Sequence, residues 1–209
     1  MNPPRQRLYL FTPPLDDPAR VVGELDAILQ SADVAAVLLR LAETDERTLI
    51  ERAKAVGGVV QRRNVALLLD GHTEIVGRAG ADGAHLTGIE TFAAALSLLK
   101  PDRIAGAGGL RSRHDAMLAG ETGADYVMFG EPNQWGRRPP FEMVLEQLTW
   151  WAQLLVIPCI GYAGSMDEIG PLQRTGADFI ALGDWIWTHP QGAAAGLGEA
   201  AQHFGAQVS

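Results

Sequence analysis

The 209-residue sequence predicts an α/β fold, one compact TIM (β/α)8 barrel over residues 1–209. Two observations predict it. Eight short apolar runs alternate with amphipathic segments, and the tripeptide Gly-Ala-Asp returns three times at the same phase of that alternation. The barrel is small for its class, in which about 250 residues is typical.

The first run covers residues 7–11. Asp17-Pro18 follows as a helix start, an N-cap with proline in the first turn, and Val21, Val22, Leu25, Ile28 and Leu29 then share one helical face. Further runs lie at 34–39, 65–69, 83–86, 103–106, 126–129, 156–160 and 179–182. They are rich in Val, Ile and Leu and rarely alternate with polar residues, as befits a parallel sheet covered by helices. The least regular parts are the passage from the fourth helix into the fifth run and the helix after Ser165, which contains Pro171. Gly80-Ala81-Asp82, Gly123-Ala124-Asp125 and Gly176-Ala177-Asp178 each end a helical pattern and directly precede an apolar run. Glycine takes the left-handed conformation that stops a helix, alanine packs closely, and aspartate bonds backbone groups in the turn.

Composition narrows the partners. The formal net charge is −8, and the 17 basic residues are scattered apart from short groups such as Arg111/Arg113 and Arg137/Arg138. A broad nucleic-acid footprint is therefore missing. The single cysteine, Cys159, forms no internal disulfide, and the N-terminal MNPPRQRLYLFTPP lacks an apolar run long enough for a signal peptide or membrane span. The expectation is a cytoplasmic protein, compatible with a homo-oligomer, that meets a small and phosphorylated ligand rather than nucleic acid or membrane.

A barrel of this kind places its chemistry at the C-terminal ends of the strands and commonly binds phosphate after strands seven and eight. There the sequence reads Gly161-Tyr162-Ala163-Gly164-Ser165, with Ser165 and Glu168 spaced as a capping box, and Gly183-Asp184-Trp185-Ile186. Small residues leading into a helix leave backbone N–H groups free for an anion, although glycine is also ordinary turn chemistry. After the sixth run, GEPNQWGRRPP brings Arg137 and Arg138 just past a strand end, either as an anion clamp or as a solvated loop.

The order of RLYLFT, VLLR, LLLDGH, GADGAHLTG, GADYVMFG, PCIGYAG and GADFIAL resembles the thiamine-phosphate synthase superfamily, which also holds the thiazole tautomerases. The resemblance covers nearly the whole chain. It implies a barrel that ionises a pyrimidine diphosphate with Mg2+ and lets a thiazole phosphate nitrogen capture the cation. It also implies roles: Arg40 on the diphosphate after strand two, Asp70 and Glu90 as magnesium carboxylates, and Arg138 in place of a lysine in the loop after strand six. Arg40 and Arg138 are thus the catalytic candidates. Gly108, Gly109, Arg137, Ala163, Gly164, Gly183 and Asp184 are the substrate-binding ones.

Departures from the family pattern stand beside these matches. Leu38 and Ala42 replace a glutamine and a lysine around Arg40, and Leu69 replaces the asparagine before Asp70. Gly108 and Leu110 replace a serine and a histidine after strand five, and Asp184 replaces a phosphate-binding serine. Arg111, Arg113 and His114 are conceivable substitutes or simply a polar helix face. His85 is either catalytic or a hydrogen-bonded core histidine. Trp135 and Trp185 are candidates to cover the pocket, and Trp150 and Trp151 to pack between layers. The expectation is a thiamine-phosphate synthase-like barrel with a degenerate site and reduced activity. The alternative is a non-catalytic or repurposed barrel for another small ligand, and a thiazole tautomerase is a third reading.

Overall fold

A computed structural model describes residues 6–205. Residues 1–5, part of the N-terminal stretch read above for a leader, and 206–209 lie outside the described residues. Eight strands, β1 (Arg7–Phe11), β2 (Val34–Leu39), β3 (Ala66–Asp70), β4 (Gly83–Thr87), β5 (Ile104–Gly108), β6 (Tyr126–Phe129), β7 (Cys159–Ala163) and β8 (Phe179–Leu182), pair in parallel and in sequence order. β8 returns to β1, with Leu10 opposite Leu182, and closes the barrel.

The helices are α1 (Ala19–Gln30), α2 (Glu46–Val60), α3 (Val76–Ala79), α4 (Ile89–Leu99), α5 (Arg113–Thr122), α6 (Phe141–Leu154), α7 (Ile169–Arg174) and α8 (Ala193–Gly205). Asp17 starts α1 as the sequence suggests, its Oδ1 accepting the Ala19 N–H at 3.0 Å. Val21, Leu25, Ile28 and Leu29 are buried on its inner face, and Val22 is partly buried. Pro171 sits in the first turn of α7, where a missing N–H breaks no helical bond. No helix of the described residues is long and apolar enough to cross a membrane.

One strand lies elsewhere than its apolar run. β7 is Cys159–Ala163 rather than 156–160. Val156 is 99% exposed, and Pro158 has no N–H to give a ladder. Trp151 Nε1 donates to the Ile157 carbonyl at 2.7 Å, so that segment serves as the connection from α6. The smaller shifts at β3 and β5 carry those strands to Asp70 and Gly108, each the last residue of its strand.

Two apolar layers result. Leu, Val, Ile and Ala side chains from alternate strand positions meet the helices in an outer layer that includes Leu10, Leu39, Leu69 and Trp151. Tyr9, Phe11, Leu38, Leu68, Tyr126, Met128, Ile160 and Tyr162 fill the inside of the barrel. The replacement of a polar residue by Leu38 thus adds a fully buried side chain to the inner filling.

The Gly-Ala-Asp triplets do the same work three times. Gly80, Gly123 and Gly176 have positive φ (71°, 119° and 87°) and turn the chain out of a helix. Asp82 then clasps Leu67, its N–H donating to the Leu67 carbonyl at 2.8 Å while its Oδ2 accepts the Leu67 N–H at 2.8 Å. Asp125 holds Ala105 in the same way (2.9 and 2.7 Å), and Asp178 holds Cys159 (3.0 and 2.8 Å). Each clasp ties the start of an odd-numbered strand to the turn before the next strand. The fourth pair, β1 and β2, uses a related contact: Arg7 Nε donates to Asp33 Oδ1 at 2.8 Å.

Candidate active site

The opposite end of the barrel gathers the candidate residues, because each follows the C-terminal end of a strand. Arg40 follows β2, Asp70 ends β3, Glu90 lies in the first turn of α4, Gly108 ends β5, and Gly183-Asp184 follow β8. Their side chains form three groups rather than one.

Arg40 and Asp184 form an ion pair that bridges the loops after β2 and β8. The Arg40 Nε also donates to the Thr12 carbonyl at 2.5 Å, and its N–H donates to Thr12 Oγ1 at 3.0 Å. Its guanidinium carbon lies 5.7 Å from the centroid of Phe11. Asp184 therefore meets a cation on its own chain. Burial raises the pKa of Asp70, an effect that the nearby charges of Arg40 and His72 oppose.

The second group is built on Arg138. It donates to both carboxylate oxygens of Glu168 (3.1 and 2.8 Å) and to the Gly130 and Tyr162 carbonyls (2.8 and 3.1 Å). Its guanidinium carbon is 5.1 Å from the Tyr162 ring centroid. Glu168 Oε2 also accepts the Gly164 N–H at 2.7 Å. The expected Ser165–Glu168 capping box does not form, since Ser165 makes no side-chain cap bond. The acid reaches the Gly164 N–H and Arg138 instead, so both of those donors are paired within the protein.

The third group lines an open cavity of about 740 Å³ between the loops after β4, β5 and β6, with Glu90, Gly109, Arg111, Glu131, Trp135 and Arg137 on its walls. This is an ordinary size for a small-molecule site. Asn133 stiffens the tip of the third loop: its Oδ1 accepts N–H groups from Trp135 and Arg137, both at 3.0 Å. Trp135, 72% exposed, is held out as part of the wall. Trp185 Nε1 is instead bonded to the Ala163 carbonyl at 2.9 Å. Of the conceivable substitute cations, Arg111 lines the cavity, Arg113 stacks over Trp150 at 4.9 Å, and His114 is exposed on α5.

Two groups in the mouth were not weighed together in the sequence. His85 on β4 is buried, with Nδ1 3.0 Å from the hydroxyl of Tyr126, which in turn lies 2.9 Å from the Tyr9 hydroxyl. The imidazole and the Tyr126 ring are near-parallel, at 8°. Burial lowers the His85 pKa to about 4, so the ring is neutral near pH 7, and its Nε2 is buried without a hydrogen-bond partner. Glu131, which follows Gly130 at the end of β6, turns its carboxyl back into the mouth, where Oε1 accepts the Gly109 N–H. Although the residue as a whole is half-buried, desolvation lifts this carboxyl to about 7 against the lowering effect of the Gly109 bond. An acid between glycine and proline directly after a barrel strand was the sequence signal for it.

Among the described residues, no group of three or more His, Cys, Asp or Glu is arranged to hold a metal. Mg2+ commonly takes only one or two protein carboxylates and completes its shell with water and substrate phosphate oxygens. Glu90 stands on the cavity wall and Asp70 at the end of the neighbouring strand β3, each a single carboxylate.

Comparison with known proteins gives the family and the fold. The family described as thiamine monophosphate synthase matches residues 8–186. A thiamine-phosphate synthase of Rhodospirillum centenum is 38% identical over 196 residues, covering 92% of this chain and 95% of that protein. One of Hyphomonas neptunium is 37% identical over 203 residues, covering 93% and 91%. Among solved structures, thiamine phosphate pyrophosphorylase from Pyrococcus furiosus superposes with a TM-score of 0.79 at 20% identity, covering 99% of this chain and 98% of that one, a likeness of fold. With the barrel complete and the match spanning β1 to the turn after β8, the chain belongs to the thiamine monophosphate synthase family.

Proposed function

We propose that the mouth of this barrel joins hydroxymethylpyrimidine diphosphate to thiazole phosphate, releasing diphosphate, in the cytoplasm and at a low rate. The observation that carries the reading is the division of charge around the mouth. Arg40 and Asp70 stand after neighbouring strands, while Glu90, Arg111 and Arg137 share the cavity wall.

In the reaction, the bond between the pyrimidine methylene carbon and the diphosphate oxygen breaks, and its electron pair leaves with diphosphate. The thiazole nitrogen then supplies the pair for the new C–N bond. Arg40 and, on the cavity wall, Arg111 and Arg137 bind and orient the diphosphate, with Arg138 lining the same cavity beside them, because charge develops on the bridging oxygen as the bond breaks. Asp70 and Glu90 would hold Mg2+, which neutralises part of the diphosphate charge when bound. The side chains that fill the barrel interior, Tyr9, Tyr126 and Tyr162 among them, close the floor of the mouth to water that would otherwise trap the cation.

A second reading, a barrel that binds such ligands without turnover, is favoured by the pairing of Arg40 with Asp184 and of Arg138 with Glu168. Purified protein given both substrates and Mg2+ separates the two. Slow formation of thiamine phosphate supports the synthase. Calorimetric binding of either substrate with no product over prolonged incubation at high enzyme concentration supports the binding barrel.

A further inference from the structure

We propose that the barrel also accepts the thiazole alcohol, the second substrate without its phosphate, and so forms thiamine directly. This rests on the synthase reading above and widens its substrate class, because Glu168 and Asp184 stand where the thiazole's phosphate would be held.

A barrel of this kind commonly binds phosphate between the loops after β7 and β8, and here that corner is tied off by the protein's own side chains. Gly164 offers its N–H there, and Glu168 Oε2 accepts it at 2.7 Å. The same carboxylate accepts two N–H groups of Arg138, at 3.1 and 2.8 Å. A Cβ on Gly164 would collide with the Arg138 guanidinium, so the cation lies directly against the backbone that a phosphate must approach. The loop after β8 is held down as well. A Cβ on Gly183 would collide with the Tyr162 hydroxyl, and Trp185 Nε1 reaches across to the Ala163 carbonyl at 2.9 Å.

Charge at this corner decides between the two forms of the ligand. Each arginine is already matched by an acid, Arg40 by Asp184 and Arg138 by Glu168. A phosphate monoester brings about two negative charges to these neutral pairs and sheds hydration to do so. A hydroxyl asks for much less. It donates a hydrogen bond, and a carboxylate that meets an arginine through one oxygen keeps lone pairs to accept it. Asp184 meets Arg40 through Oδ1 and its side chain is 60% exposed, so it is the acid within a ligand's reach. Diphosphate that draws Arg40 to itself leaves Asp184 with its charge less compensated, which favours a hydroxyl over a phosphate further.

The bond changes are the same for both forms. The C–O bond to diphosphate breaks and its electron pair goes to the leaving group, while the ring nitrogen supplies the pair of the new C–N bond. The hydroxyethyl arm stands across the thiazole ring from that nitrogen and takes no part. No proton is transferred and no co-reactant is consumed, and the products are thiamine and diphosphate.

The test gives the purified protein hydroxymethylpyrimidine diphosphate and Mg2+ with either thiazole alcohol or thiazole phosphate, and separates thiamine from thiamine phosphate by chromatography. The wild type should use the alcohol with a kcat/KM no more than about threefold below that for the phosphate, as expected when the added group makes no net favourable contact. Asp184→Ser should move this ratio several-fold toward the phosphate, and the double variant Glu168→Gln/Asp184→Ser should move it by about tenfold or more, since each exchange removes a like charge. Asp184 is exposed, so the single variant keeps the test decisive should the double variant unfold. The inference is overturned if the wild type prefers the phosphate by more than that threefold, if the alcohol gives no thiamine, or if neither variant moves the ratio. Product from thiazole phosphate alone overturns this inference and leaves the synthase reading standing. Product from neither thiazole overturns the synthase reading, and this inference with it.

Discussion

Arg40 and Asp184 close the seam of the barrel at its mouth, one carried by the loop after β2 and the other by the loop after β8, with β1 between them. The carboxylate occupies a guanidinium that a phosphate would otherwise meet. Asp184→Ser should therefore raise affinity for thiazole phosphate several-fold, both by freeing Arg40 and by removing a like charge. Because Asp184 is largely exposed, the loss of the pair should cost only about 0–1 kcal/mol in stability. Titration calorimetry at low salt reads the gain, and the gain should shrink as salt screens the charges.

Gly108→Ser would restore the hydroxyl that the family pattern has at this position, yet it should damage the protein. The new Cβ would meet Glu131 Oε1 and His85 Nε2, which are fixed through Gly109 and Tyr126. Overpacking of this kind costs about 1–3 kcal/mol, equivalent to roughly 2–4 °C in Tm for each kcal/mol at this chain length. Thermal unfolding checks it. A variant as stable as the parent would show that the two side chains rotate aside.

Glu131 and His85 act on stability from opposite sides. Glu131 has its pKa raised from 4.5 to about 7, so its contribution is full below pH 4.5 and lost as pH rises toward 7. His85 has its pKa lowered from 6.5 to about 4, so its contribution is full above pH 6.5 and lost as pH falls toward 4. Between these limits the two slopes oppose each other. Glu131→Gln removes only the first. In urea unfolding, its stability relative to the wild type should climb from pH 4.5 to pH 7 and level off above, and a constant difference would rule out the raised pKa.

Glu168 supports more of the mouth than a helix cap would. It satisfies Arg138 and the Gly164 N–H together, and Arg138 ties the loop after β6 to the Tyr162 carbonyl. Glu168→Ala should cost about 1–3 kcal/mol, the usual penalty for stranding partly buried donors. Faster amide exchange across residues 131–140 should accompany it, while Glu168→Gln, which keeps an acceptor, should lose less.

Much of the fold was legible because its signals are local. The apolar runs mark β1, β2, β6 and β8 at their observed limits, and the three Gly-Ala-Asp triplets mark the turns between α and β. β7 was misplaced because hydrophobicity cannot tell a strand from an exposed Val156, whereas the missing N–H of Pro158 could have. The rim positions of Arg40, Asp70 and Glu90 followed from strand order and the family pattern. What sequence could not give was the pairing of side chains far apart in the chain. Arg138 with Glu168, Arg40 with Asp184, and Glu131 with Gly109 are decided by which loops become neighbours on closure.

The aspartate clasps lie at the end of the barrel away from the mouth, and none of them uses a residue of the cavity. Strand pairs are thus locked by one set of amino acids while ligands are handled by another. Heredity can alter the second set without asking leave of the first. A lineage that ceased to need the reaction could exchange a lysine and a serine at the rim for Ala42 and Gly108, and a glutamine inside the barrel for Leu38, and still inherit a closed barrel. The same separation makes the chain a sound starting point for directed evolution, in which libraries confined to the rim would be expected to leave most members folded.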